Sequence, residues 1–165
     1  MRTTVFFSLL TAILLTFAGC RQSDGPLPMP DGDDPNRIED LSRNLLNIAG
    51  GDPQAPRDLA DDLAIFVAEK PDAQPAVAEL ANRAAAAVRG AMLTEEVARE
   101  LADELWRTLR ADQFSDTQIE NLTAEVETTL AMAGIPAERA DPVAAQVTEV
   151  QELVRTRERR WYEWR

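Results

Sequence analysis

The sequence predicts an all-α protein of about six amphipathic helices, arranged as a helical bundle or as a short α-solenoid of repeated helical hairpins, after a disordered tether. Three observations carry this. From Pro35 onward apolar residues recur every three or four positions. Glycines and prolines interrupt these runs at helix-length intervals. No stretch alternates apolar and polar residues as a half-buried strand would.

Each helix has its own pattern. Ile38, Leu41, Leu45 and Ile48 mark the first, which Gly50-Gly51 stops. Pro56 opens the second, whose Leu59, Leu63, Phe66 and Val67 share a face until Lys70-Pro71 ends it. Asp72 is the expected N-cap of the third, with Val77, Leu80, Ala84 and Val88 inward and Gly90 closing it. Thr94 caps the fourth, which carries Val97, Leu101, Leu105 and Leu109. Ser115 and Gln118 form a capping box for the fifth, and Phe114 and Ile119 occupy the two positions of a hydrophobic staple. Its stripe of Ile119, Leu122, Val126 and Leu130 runs to Gly134, followed by Ile135 and Pro136 as in a Schellman stop. The sixth is expected to begin near Asp141-Pro142 and run to the end. Its seam of Val143, Val147, Val150, Val154, Arg157, Trp161 and Trp164 alternates spacings of four and three.

The chain also matches itself at an offset of 42. Arg57-Asp58-Leu59-Ala60-Asp61-Asp62-Leu63 aligns with Arg99-Glu100-Leu101-Ala102-Asp103-Glu104-Leu105. The inward positions Val77, Leu80, Ala84 and Val88 then fall on Ile119, Leu122, Val126 and Leu130. A duplicated hairpin would give a helical repeat in the period range of solenoids. Chance matching of Ala/Leu/Asp/Glu-rich amphipathic helices is the alternative. Signatures of tetratricopeptide, HEAT or armadillo repeats are absent.

The N-terminus differs in kind from the helical region. Arg2 precedes an apolar run from Val5 to Phe17, which ends in Phe17-Ala18-Gly19-Cys20, and Cys20 is the only cysteine. Thr3 to Gly19 is an uncharged stretch of 17 residues, at the lower edge of what spans a bilayer. The pattern resembles the signal peptide and lipobox of a bacterial lipoprotein, with Phe17 where the usual lipobox has Leu. An ordinary secretory signal or an uncleaved anchor is the alternative.

The resemblance implies residues 1–19 as a cleaved signal and lipidation of Cys20, palmitate included. It also implies a membrane-held protein on the periplasmic side of the cell envelope. Arg21, rather than the Asp of inner-membrane retention, favours the outer membrane by the same resemblance. Residues 20–36 then form a tether rich in Pro, Gly and Asp, able to hold the domain up to roughly 50 Å from the membrane at ~3.1 Å per residue. Residues 37–165 form the helical domain.

Charge and chemistry narrow the function. Of 17 basic residues only Arg2 precedes Cys20, so the remainder carries 16 against 29 acidic residues, a net charge of −13. That argues against nucleic acid as partner. With Cys20 acylated no thiol remains, and the chain has no His. Imidazole acid-base pairs, Ser-His-Asp triads and thiolate or imidazole metal sites are thereby excluded. Ser23, Ser42 and Ser115 lie in no nucleophile motif, and the single lysine, Lys70, precedes Pro71 at a helix end. Lytic transglycosylases resemble one another around a Glu-Ser pair, and none occurs here. The expectation is a protein without catalytic residues, cofactor or metal.

Carboxylates are the remaining chemistry. Asp58, Asp61 and Asp62, and again Glu100, Asp103 and Glu104, share helix faces through i,i+3 and i,i+4 spacing. Such faces suit a weak divalent-cation binder or a carboxylate-dependent envelope enzyme. The reading preferred over both is a solvated surface, since Asp103 has Arg99 and Arg107 within helical reach.

The last thirteen residues invert the charge of the rest. Arg155, Arg157, Arg159, Arg160 and Arg165 against Glu158 and Glu163 give a local +3. Of six aromatics after Cys20, three are Trp161, Tyr162 and Trp164. Either the tryptophans finish the core as a continued seam, or a helix of about 24 residues and roughly 36 Å outruns its neighbours. In the second case Arg157, Arg160, Trp161, Tyr162, Trp164 and Arg165 would contact anionic headgroups or an acidic partner. The expected role is a non-catalytic interaction, scaffold or accessory subunit, bound to the membrane through Cys20 and to a protein partner in the envelope.

Overall fold

The structure, a computed structural model, describes residues 35–162, with side chains described for 36–155. Cys20, the tether as far as residue 34 and the terminal side chains from Arg157 to Arg165 lie outside the described residues, while Pro35 and Asn36, expected at the end of the tether, already belong to the first helix. Among the described residues there are six α-helices and one short 3-10 turn: α1 (Pro35–Ala49), α2 (Ala55–Phe66), α3 (Gln74–Val88), α4 (Glu95–Leu109), η1 (Ala111–Gln113), α5 (Asp116–Met132) and α6 (Ala137–Tyr162). None is long and apolar enough to cross a membrane.

Local chemistry sets most boundaries. α1 ends in a complete Schellman motif: Asp52 donates to the Asn47 carbonyl, Gly51 donates to Ile48, and Gly51 takes φ 89°. The same motif closes α5, with Ile135 donating to Leu130, Gly134 donating to Ala131, and Gly134 at φ 71°. Thr94 Oγ1 accepts the Val97 amide at 3.3 Å, and the Ser115/Gln118 capping box is present in both directions.

Three boundaries depart from the sequence expectation. α2 stops at Phe66 rather than at Lys70-Pro71, because from Val67 the chain tightens into i to i+3 bonds. This turn brings Lys70 Nζ to 2.6 Å from Asp112 Oδ2. Asp72 does not cap α3. The turn before that helix is already near-helical, with Ala73 at φ −89° and ψ −19°, so no extended residue exists to present a capping side chain. α6 opens at Ala137, with the Pro136 carbonyl accepting from Arg139 and Ala140, and Pro142 lies inside it. Pro142 deprives the Glu138 carbonyl of its amide partner, and both residues are exposed, where water can replace it.

One contiguous core joins all six helices. Leu41, Leu45 and Ile48 of α1 and Leu101 and Leu105 of α4 all belong to it, and α1 and α4 form the most extensive helix pair. The pair α3 and α6 comes next. It sets the alanine-rich face of α3 (Ala76, Ala81, Ala84, Ala85) along the part of α6 that carries buried Val143 and Val147, where Arg139, Arg83 and Gln146 bond across. Small side chains on one helix let the axes approach closely.

This pairing makes a bundle. A solenoid would stack α2 on α4 and α3 on α5, yet α2 barely touches α4, and α3 and α5 share at most a marginal contact. Instead α1–α2–α3 and α4–α5–α6 repeat one packing pattern. In each half the middle helix packs on both others and the outer two also meet, and the halves join through α1 on α4 and α3 on α6. The 42-residue spacing persists at helix starts, Gln74 and Asp116, then Glu95 and Ala137.

Polar links fix α6 against α3. Arg139 in the first turn of α6 donates through Nη2 to the carbonyls of Ala86 (3.0 Å), Ala87 and Arg89 (2.8 Å), so one guanidinium caps the C-terminus of α3. Arg83 donates to the Pro142 carbonyl at 3.1 Å, and buried Gln146 donates to Ala76 O at 3.1 Å. At the other end of α6, Arg155 pairs with Asp116, the first residue of α5. The helix therefore continues past the start of α5 to Tyr162, by about 10 Å at 1.5 Å per residue.

Candidate functional site

The acidic faces singled out in the sequence part company in the fold. On α2, Asp58 and Asp61 are exposed, and Asp61 sits 3.8 Å from Arg57 as a loose surface pair. Asp62 is half-buried and accepts from Asn44 Nδ2 at 2.8 Å, tying α2 to α1. Burial, followed by the charge of Asp40, raises its carboxyl above the usual range, against the opposing pull of Arg37 and the Asn44 bond.

On α4 the solvated-surface reading holds for Glu100, which is exposed, and fails for Glu104. Glu104 is only 2% exposed, because it shares the inward face of α4 with Leu101, Leu105 and Thr108. Its Oε1 accepts from Thr129 Oγ1 of α5 at 2.8 Å, and its Oε2 has no hydrogen-bond partner. A carboxyl held this way favours its neutral form. Burial pushes Glu104 up to about 7, with the charges of Glu100 and Glu125 adding to it and the Thr129 bond and Arg107 working against it.

Around Glu104 runs an open groove of about 540 Å³ between α4 and α5, lined also by Glu100, Arg107, Asn121, Glu125 and Thr128. Arg107 is occupied at its rim. Its Nε lies 3.0 Å from Asp103 Oδ2 and its Nη2 lies 2.9 Å from Glu125 Oε2. These are close ion pairs whose angles are not those of hydrogen bonds, since Nε and Glu125 Oε2 both lack a bonded partner. Among the described residues no group of three carboxylates is arranged to hold a metal ion.

Glu104 has a signal in the sequence: it stands three after Leu101 and four before Thr108, on the buried stripe itself. Its acidic neighbours Glu100 and Asp103 hide that register. A second groove, about 440 Å³ between α5 and α6, is lined by Thr123, Thr148, Gln151 and Arg155. The hydroxyls of Thr123 and Thr148 lie 3.2 Å apart there, and buried Gln151 leaves its Nε2 unpartnered. Between α4 and the start of α5, Trp106 and Phe114 meet edge to face at 5.8 Å, with Arg110 5.3 Å over the Trp106 ring.

Compared with known proteins, the chain matches no family model, no curated protein and no solved structure. The groove beside Glu104 and the extended end of α6 are thus the two places where geometry alone must speak for function.

Proposed function

We propose that the chain is a lipid-anchored lipoprotein of the bacterial cell envelope. It is held through Cys20 on the periplasmic side, with the outer membrane favoured by Arg21, and its helical domain acts by binding, as a scaffold or accessory subunit. The anchor rests on Arg2, the apolar run to Phe17, and Ala18-Gly19-Cys20. The binding role rests on α6, whose backbone passes the Arg155–Asp116 pair by about 10 Å. Arg157, Arg160, Trp161, Tyr162, Trp164 and Arg165 belong to that end, a basic and aromatic segment on a domain that is otherwise strongly acidic. Arginine and aromatic side chains give the most binding energy per residue at protein interfaces, so this end is the contact surface for an acidic protein partner.

The experiment is crosslinking with mass spectrometry in native membranes, on the unaltered chain and on Cys20→Ser. The expected result is an acylated N-terminus at Cys20, crosslinks from the last ten residues to one envelope protein, and release of the variant from the processed membrane fraction. A Cys20→Ser protein that stays processed and membrane-bound removes the anchor. Crosslinks that avoid the last ten residues remove the contact surface.

A further inference from the structure

We propose that the groove between α4 and α5 is a binding site for a ligand carrying a primary ammonium group, with Glu104 at its floor and Glu100 and Glu125 beside it. The site owes nothing to the lipid anchor, so it stands or falls separately from the role given to α6.

Three observations select this chemistry. The lining carries three carboxylates and one guanidinium, and Arg107 already faces Asp103 and Glu125, so the groove attracts positive charge. A tight metal site gathers several carboxylate or other charged ligands on one point, and among the described residues no three His, Cys, Asp or Glu side chains are so gathered. Lastly, Glu104 offers one oxygen only. Oε1 is taken by the Thr129 hydroxyl while Oε2 is buried and unpartnered. A guanidinium gains most over an ammonium when it meets both oxygens of a carboxylate as a two-pronged fork, an advantage lost where one oxygen is engaged, whereas an ammonium is a compact donor suited to a single oxygen. The Thr128 hydroxyl and the Asn121 side-chain carbonyl, also on the lining, can accept its remaining protons.

Binding is coupled to a proton. Charges act on Glu104 from Glu100 and Arg107 on its own helix and from Glu125 on α5. With its carboxyl at about 7, Glu104 is mostly neutral at pH 6 and mostly ionised at pH 8. A cation selects the ionised form, so affinity rises by roughly tenfold between those pH values.

The probe is spermidine, titrated calorimetrically into the full chain in non-ionic detergent at pH 6 and pH 8. The variants are Glu104→Gln and Glu125→Gln in the groove and Glu127→Gln on the exposed face of α5. The expected result is saturable one-to-one binding at pH 8, about tenfold weaker at pH 6. Glu104→Gln should weaken it at least tenfold and abolish the pH dependence, Glu125→Gln should weaken it severalfold, and Glu127→Gln should leave it unchanged. Glu125→Gln keeps the test decisive if Glu104→Gln proves poorly folded. Absence of saturable binding at pH 8 overturns the proposal. So does equal weakening by the groove variants and Glu127→Gln, which reports only general attraction to an acidic surface.

Discussion

Glu104 is where a single side chain sets a property of the whole domain. Its carboxyl titrates near its ordinary value of 4.5 when unfolded and at about 7 when folded. Between those values the folded state holds a proton that the unfolded state has released. Stability from this group is therefore fully present below about pH 4.5, falls as pH rises, and is lost once pH passes about 7. The difference corresponds to about 3 kcal/mol. Glu104→Gln keeps an oxygen for Thr129 and removes the ionisation, so relative to the variant the unaltered chain should lose up to about 3 kcal/mol between pH 4.5 and pH 8. Urea unfolding of both proteins at pH 5 and pH 8 measures it, and parallel pH dependences would exclude a buried, titrating Glu104. In the sequence this residue reads as a surface carboxylate because acidic neighbours at i−4 and i−1 outweigh its position on the apolar stripe. Burial of one polar residue is decided by what faces it across the groove, here Thr129, which lies 25 positions away.

At the level of elements, legibility depends on the range of the interaction that sets each boundary. Gly51, Gly134, Thr94 and the Ser115/Gln118 box act within five residues, and all are readable. The stop of α2 and the start of α3 lie in a run of tight turns from Val67 to Ala73 that no capping residue announces, and the Lys70–Asp112 pair that accompanies it joins positions 42 apart. Pro142 reads as a helix start because Pro favours the first turn, yet Pro136 already supplies the first carbonyl.

Paired substitutions separate these causes. Gly51→Ala forces a Cβ onto φ 89° and should cost about 1–2 kcal/mol. Gly50→Ala, whose Cβ would meet only carbonyl oxygens at 3.5 Å, should be neutral or stabilising. Thermal unfolding of the two variants gives the comparison, and equal effects would mean that the Schellman stop is not what positions the turn. Likewise Arg139→Ala strips three carbonyls at the end of α3 of their donor. Since the residue is exposed and water can partly replace it, a loss of about 1–2 kcal/mol is expected. Hydrogen exchange should quicken at the last turn of α3 before any other helix.

For the whole molecule, the pattern of apolar residues specifies six helices and their inward faces, but leaves open how those faces pair. A bundle and a solenoid bury the same stripes. The choice between them lies in side-chain size, with the alanine face of α3 admitting the part of α6 that carries Val143 and Val147, and in long-range donors such as Arg139 and Gln146 that no local pattern announces. The end of α6 is the remaining question of this kind, and truncation answers it. Val154 is the last buried residue among those described, and Arg155 is the last described tie to α5. A chain ending at Arg155 keeps every described core side chain and helix cap, and should unfold as a single transition within about 1 kcal/mol of the full chain. It should also lose the crosslinks to its envelope partner. If Trp161 and Trp164 instead complete the core, the same truncation removes two large buried rings, each worth about 3–5 kcal/mol. Urea unfolding distinguishes a loss of that size from none, and a loss of several kcal/mol would return the tryptophans to the core and leave the partner to be sought at the groove beside Glu104.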